Sequence, residues 1–265
     1  MGYIEKNDAL FAEWKKLTGQ VPVKTGYDTA AIEIDHANTV FIRDGVVCPE
    51  LWFAQRTRPL FLLKEAYNGD GDWDLASDHL LTGNSASRMW RRVSRWTYAL
   101  LNTTAEELAP YDPGLDVSKF GNEHLRRIAV VNVKKSGGKS NSNMDEIRSY
   151  AWFDAERLWK QLSLCDPTVI VCGYTGSALD IIAERMTGKK VRETYNENLY
   201  YTMELNGHKA LVLDYWHPAN QFPEQMNYYG LAAVYQLGLR HCVLGDILQA
   251  LNEIGRQHPD NGGRA

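Results

Sequence analysis

Four short apolar runs, each ending in polar or glycine-bearing sequence, constrain this chain more than any other feature. Pro59-Leu60-Phe61-Leu62-Leu63 runs into Lys64-Glu65-Ala66-Tyr67-Asn68-Gly69. Ile128-Ala129-Val130-Val131 runs into Asn132 and then Ser136-Gly137-Gly138-Lys139-Ser140. Thr168-Val169-Ile170-Val171-Cys172 leads to Gly173-Tyr174-Thr175-Gly176, and Ala210-Leu211-Val212-Leu213 leads to Asp214-Tyr215-Trp216-His217-Pro218. Continuous runs of this length, without polar alternation, read as strands buried on both faces, as in parallel sheets. Helical patterns lie between them, over Ser85 to Leu101, Ser149 to Leu162, Ser177 to Met186 and Tyr228 to Gln236. The alternation predicts an α/β fold, a three-layer α/β/α arrangement with a mainly parallel central sheet. One domain over 1–257 and a frayed tail over 258–265 are expected. Ligands in such sheets bind beyond the carboxyl ends of the strands, which puts Glu65, Asn132, Gly173 and His217 around one cleft.

Composition narrows the function classes. With 265 residues, 44% of them hydrophobic, the chain can bury a full core, so disorder is excluded as its main state. No apolar run approaches the roughly 20 residues that span a bilayer. The first ten residues carry Glu5, Lys6 and Asp8 and no apolar core, so no secretory signal is expected. Four cysteines form no CxxC pair, which fits a reducing cytoplasm. A net charge of −4 predicts no general attraction to nucleic acid, so any polyanion site is a local patch.

Each strand-end segment has an ordinary reading: a βα turn with a surface Glu, a solvated Gly-Ser-Lys loop, a tight turn with an incidental His. The Ser136-to-Ser140 loop offers backbone amides to a phosphate, but GxxxxGK[ST] is absent. Taken together and in order, Glu65-Ala66, Asn132-Val133-Lys134-Lys135, Pro167 through Gly173, and His217-Pro218-Ala219 resemble the motif series of the uracil-DNA glycosylase superfamily. The resemblance spans about residues 58 to 222. It implies that family's fold and a monofunctional DNA glycosylase that flips out and hydrolytically releases a pyrimidine, with DNA as partner and no metal or organic cofactor.

The departures are informative. Lys64 and Tyr67 replace the usual Gly and Pro of the first motif. Ala66 stands where some branches carry the Asp or Asn that positions water, so that role falls elsewhere. Ser136 stands where the iron-sulfur branch has a cluster Cys, and no other cluster spacing is present. Asn68-Gly69 stands near the bulky Tyr by which strict uracil enzymes exclude a C5 substituent. A smaller residue there leaves room for a modified pyrimidine, such as a bulky 5-substituted cytosine of phage DNA, and for an antiviral role.

The resemblance assigns roles that the chemistry requires. A flipped base costs a few kcal/mol of lost stacking and pairing. Asn132 would bond its Watson–Crick edge, since an amide offers donor and acceptor. His217 would donate to the negative charge developing on O2. Glu65 would orient the water or offset the oxocarbenium charge. Ala66, Tyr67, Asn68 and Trp73 would line or stack on the base. In the loop after His217 (Asn220, Gln221, Phe222), Phe222 would wedge into the vacated stack.

Two further clusters stand out. Arg88, Arg91, Arg92 and Arg95 share one helix face and read as a solvated face or as a phosphate-contact strip, which Lys134, Lys135, Ser136, Lys139 and Ser140 would extend. Glu65, Asp70, Asp72, Asp74, Asp78 and His79 form an acidic segment that fails the EF-hand pattern at Leu75 and Leu81. The competing functions are a metal-dependent phosphodiesterase using Asp70, Asp72 and Asp74, and a module that binds modified DNA without cutting it.

Overall fold

The computed structural model describes residues 2–25, 28–67, 69–82, 87–113, 123–138, 142–192 and 199–257. Helix α1 (Tyr3–Trp14) leads into a hairpin of β1 (Thr18–Thr25) and β2 (Asp28–Asp35). Two short strands, β3 (Ile42–Arg43) and β4 (Gly45–Val46), precede α2 (Pro49–Ala54). Then come β5 (Pro59–Leu63), β6 (Trp73–Asp74), a π-helical turn (Leu75–Leu80), α3 (Arg88–Asn102) and β7 (Ala129–Asn132). Helices α4 (Met144–Phe153) and α5 (Ala155–Cys165) lead to β8 (Val169–Gly173) and α6 (Gly176–Thr187). Strands β9 (Tyr200–Leu205) and β10 (His208–Tyr215) precede α7 (Glu224–Gln257). The start of α3 expected at Ser85 and the tail expected over 258–265 lie outside the described residues. No described helix is long and apolar enough to cross a membrane.

Six strands form the central sheet in the order β4-β7-β5-β8-β10-β9. The four apolar runs are its inner strands and pair in parallel. Both edges are antiparallel, so the sheet is mixed rather than mainly parallel. The cause at one edge is local: Asn206 and Gly207 sit at φ +51° and +79°, and a two-residue turn with both φ positive can only fold β9 back on β10. The expected single helix over 149–162 is likewise two helices, meeting at Asp154. There the carboxylate turns into the core to accept Trp14 Nε1–H at 2.8 Å and contact His36 Nε2 at 2.9 Å.

Side-chain alternation along β5 divides the core. Leu60 and Leu62 pack with α1, α4, α5 and α6 on one face, while Phe61 and Leu63 pack with α3 and α7 on the other. Each such fully buried side chain contributes about 1.5–3 kcal/mol. From β5 the sheet extends to β7 on one side and to β8 on the other, so its order reverses there. The crevice at such a reversal opens beyond the carboxyl ends, where Glu65 follows β5.

Candidate functional site

The segments leaving β5 and β7 stay paired past the strand ends. Leu63 faces Asn132 in register, and the N–H groups of Val133, Lys134 and Gly138 donate to the carbonyls of Leu63, Lys64 and Ala66. This holds Glu65 beside Lys134. The Glu65 carboxylate is only 5% exposed and lies 2.9 Å from Lys134 Nζ, which also reaches Glu146 at 2.7 Å. Burial alone would lower the Lys134 pKa, but the hydrogen bonds and charges of Glu146 and Glu65 outweigh it and raise the value. Gly138 closes over this carboxylate: a Cβ there would lie 2.5 Å from Glu65 Cγ and 2.8 Å from the Ala66 carbonyl.

His217 follows β10. Its turn packs against β5 through Gly173, where a Cβ would meet Leu63 Cδ2 at 2.7 Å and Pro218 Cδ at 3.3 Å. Burial, with the nearby Lys64 charge, pushes the His217 pKa down to about 4, so the ring is neutral at physiological pH. Its Nδ1 accepts the Ala219 N–H at 3.2 Å, which leaves the proton on Nε2. His217 is therefore a neutral donor. Lys64, whose own pKa burial lowers, sits 4.9 Å from the Tyr174 ring centroid.

Asn132 lies at the floor of the strand ends, 2% exposed. Its backbone N–H and its Nδ2 both donate to Asp44 Oδ2, at 2.8 and 3.2 Å. Lys135 is not the expected phosphate contact: it is fully buried, with Nζ 2.6 Å from Asp44 Oδ1 and stacked over the Phe11 and Trp14 rings. Ser136 is also interior, its hydroxyl 2.8 Å from that of Tyr150.

The arginine strip is largely consumed internally. Arg92, 1% exposed, pairs with Glu224 and donates to the carbonyls of Pro218, Asn220 and Phe222. Arg88 and Arg95 also face Glu224, and Arg88 reaches Gln221 Oε1 at 2.9 Å. The acid that balances the strip comes from the first turn of α7, far away in sequence. Arg91 has no ion-pair partner among the described residues and alone keeps the expected role open. Asn220 is tied to the His217 carbonyl and, twice, to Asn227, so it shapes the loop. Phe222 remains exposed, edge-on to Trp216 at 5.3 Å.

Tyr67 is 73% exposed, while Ala66 and Trp73 pack against the α3-side core. Asn68, Lys139 and Ser140 lie outside the described residues. The acidic segment is engaged in local structure. Asp72 accepts the Phe41 N–H and pairs with Lys15, and Asp74 caps the π-helical turn through Ala76 and Ser77. Among the described residues no three His, Cys, Asp or Glu side chains converge on a metal position.

Beyond His217 a cleft of about 490 Å³ is lined by Arg148, Tyr174, Ser177, Arg192 and Trp216. It lies beside the Glu65, Asn132 and His217 group and does not contain it. Asp44 and Glu146 were invisible to sequence reasoning, since Asp44 sits in no motif and Glu146 precedes the helix expected from Ser149. Exposed Tyr174 and Trp216 carried a faint signal, as aromatics directly after buried strands. The chain matches no protein-family model and no curated protein sequence.

Proposed function

We propose that this chain is a DNA glycosylase, a divergent form of the uracil-DNA glycosylase fold. It flips a pyrimidine out of DNA and releases it by water attack, leaving an abasic site. The observation that carries the reading is His217: a neutral imidazole at the strand ends, its Nδ1 occupied and its Nε2–H free to donate. Breaking the bond between sugar C1′ and base N1 builds negative charge on O2, and a preorganised donor there acts where charge develops. Cationic sugar character is offset by Glu65, which Lys134 holds in place, and which also orients the incoming water. Asn132 reads the base edge from the floor. The ordered motif series adds support, because the segments that resemble the family follow inner parallel strands and so lie at the same end of the sheet.

The substrate in this proposal is a pyrimidine bearing a C5 substituent, of the kind found as bulky 5-substituted cytosine in phage DNA, and the setting is cytoplasmic antiviral defence. It rests on Asn68-Gly69, which in the sequence stands near the position of the bulky Tyr by which strict uracil enzymes exclude a C5 substituent. One methylene-sized contact discriminates by only about 1–3 kcal/mol, so an unguarded pocket accepts 5-substituted bases. The test is single-turnover base release from matched duplexes carrying uracil, 5-hydroxymethylcytosine or its glucosylated form. Release of the substituted bases is expected, together with about a hundredfold loss or more in Asn132→Ala, His217→Ala and Glu65→Gln. Binding of modified DNA without any base release would instead support the non-catalytic module.

A further inference from the structure

We propose that Asp44 decides which class of pyrimidine this site accepts, by fixing the direction in which the Asn132 amide faces; the inference rests on the glycosylase reading above. Asp44 is 1% exposed and its carboxylate accepts four N–H groups. Oδ2 takes the backbone N–H and the Nδ2 of Asn132, while Oδ1 takes Lys135 Nζ at 2.6 Å and Gln161 Nε2 at 2.8 Å. Lys135 and Gln161 hold the carboxylate, and the carboxylate holds the amide.

An ionised carboxylate has no proton to give. Turning the Asn132 amide by 180° would set its Oδ1 against Asp44 Oδ2, two acceptors in a buried place with nothing between them. An unsatisfied buried contact of that kind is disfavoured far more than the loss of one ordinary hydrogen bond. Asn132 is therefore held one way round, unlike a free asparagine, whose two ends exchange easily.

That direction matters to the base. A 4-oxo pyrimidine presents an acceptor at C4 and a donor at N3, and a 4-amino pyrimidine presents the reverse. An amide in one orientation complements the first, and the flipped amide complements the second. A carboxylate that forbids the flip makes Asn132 a reader of one class only. Asp44 touches no substrate in this scheme, so it is a positioning residue. Its effect falls on the choice between bases more than on turnover.

The test uses the full chain and a matched pair of bases, 5-hydroxymethyluracil and 5-hydroxymethylcytosine, which differ at C4 and N3 but share the C5 group. Asp44→Asn is combined with Lys135→Met, so that neither buried charge is left without its partner. An asparagine at 44 can present oxygen or nitrogen, which releases the lock. The wild type is expected to prefer one base, and the double variant to lose roughly tenfold or more of that preference. An unchanged preference in a double variant that still melts cooperatively overturns the proposal.

A second measurement needs no variant: in the wild type, the Asn132 Nδ2 protons are expected to exchange slowly with solvent and the side chain to hold a single χ2 rotamer by NMR, and averaging between the two χ2 rotamers overturns the lock. No base release at all by the wild type sinks the glycosylase reading and the specificity role with it. Release with an unaltered ratio in the double variant sinks the specificity role alone.

Discussion

Arg92 and Glu224 form an ion pair that fastens α3 to the start of α7, and the same guanidinium caps three carbonyls of the loop that follows His217. Removing it leaves Glu224 and those carbonyls without their shared donor. Arg92→Met is expected to cost about 3–5 kcal/mol of stability and to reduce base release by loosening the His217 turn. Arg92→Lys should rescue little, because an ammonium cannot span the same fork of acceptors. Denaturant melts and single-turnover rates check both. A variant as stable as the wild type would mean that this pair contributes nothing.

The depressed His217 pKa sets a pH window. A neutral donor persists until the ring protonates, so base release should stay level from pH 7 down to about 5 and fall through about 4. Stability follows the same group. The unfolded chain takes up this proton near 6.5 and the folded chain only near 4, so stability is lost as pH falls through that interval, by about 3 kcal/mol in all. Burial is the larger cause and Lys64 the smaller, so Lys64→Met should raise the midpoint modestly. A rate profile breaking at 6.5 would contradict the buried, neutral ring.

Gly138 lies so close to Glu65 that even one methyl has no room. Gly138→Ala should force the loop away from the Ala66 carbonyl or displace the Glu65 carboxylate. About 1–3 kcal/mol of destabilisation is expected, with a larger loss of rate than of DNA affinity. Equal rates in wild type and variant would show that Glu65 tolerates displacement.

Arg91 is the one member of the arginine face without an ion-pair partner among the described residues. Arg91→Ala should weaken DNA binding alike for all sequences and reduce the salt slope by roughly one unit. Titrations from low to moderate salt measure this. An unchanged slope returns the whole face to a structural role.

Much of the fold is legible locally. The inner strands β5, β7, β8 and β10 lie where the apolar runs place them, because a strand buried on both faces must be apolar throughout. The edge strands alternate or are very short, so no run marks them. Even so, Asn206-Gly207 is a local hairpin signal, and it marks the antiparallel edge. Asp154 shows the opposite case. Nothing local breaks the helix there; Trp14 and His36, distant in sequence, draw its carboxylate inward.

The sequence by itself determined the inner strands and brought Glu65, Asn132 and His217 to strand ends, since both follow from short-range pattern and from where parallel strands finish. Tertiary structure alone decided which charges are spent and which remain. Arg92 meets Glu224, and Lys135 meets Asp44, across separations no spacing rule spans. A side chain's charge becomes structural or functional according to which group comes within about 3 Å of it. That is settled by packing of the whole chain, and a helical stripe of arginines reads the same whether its partner is a phosphate or a glutamate from another helix.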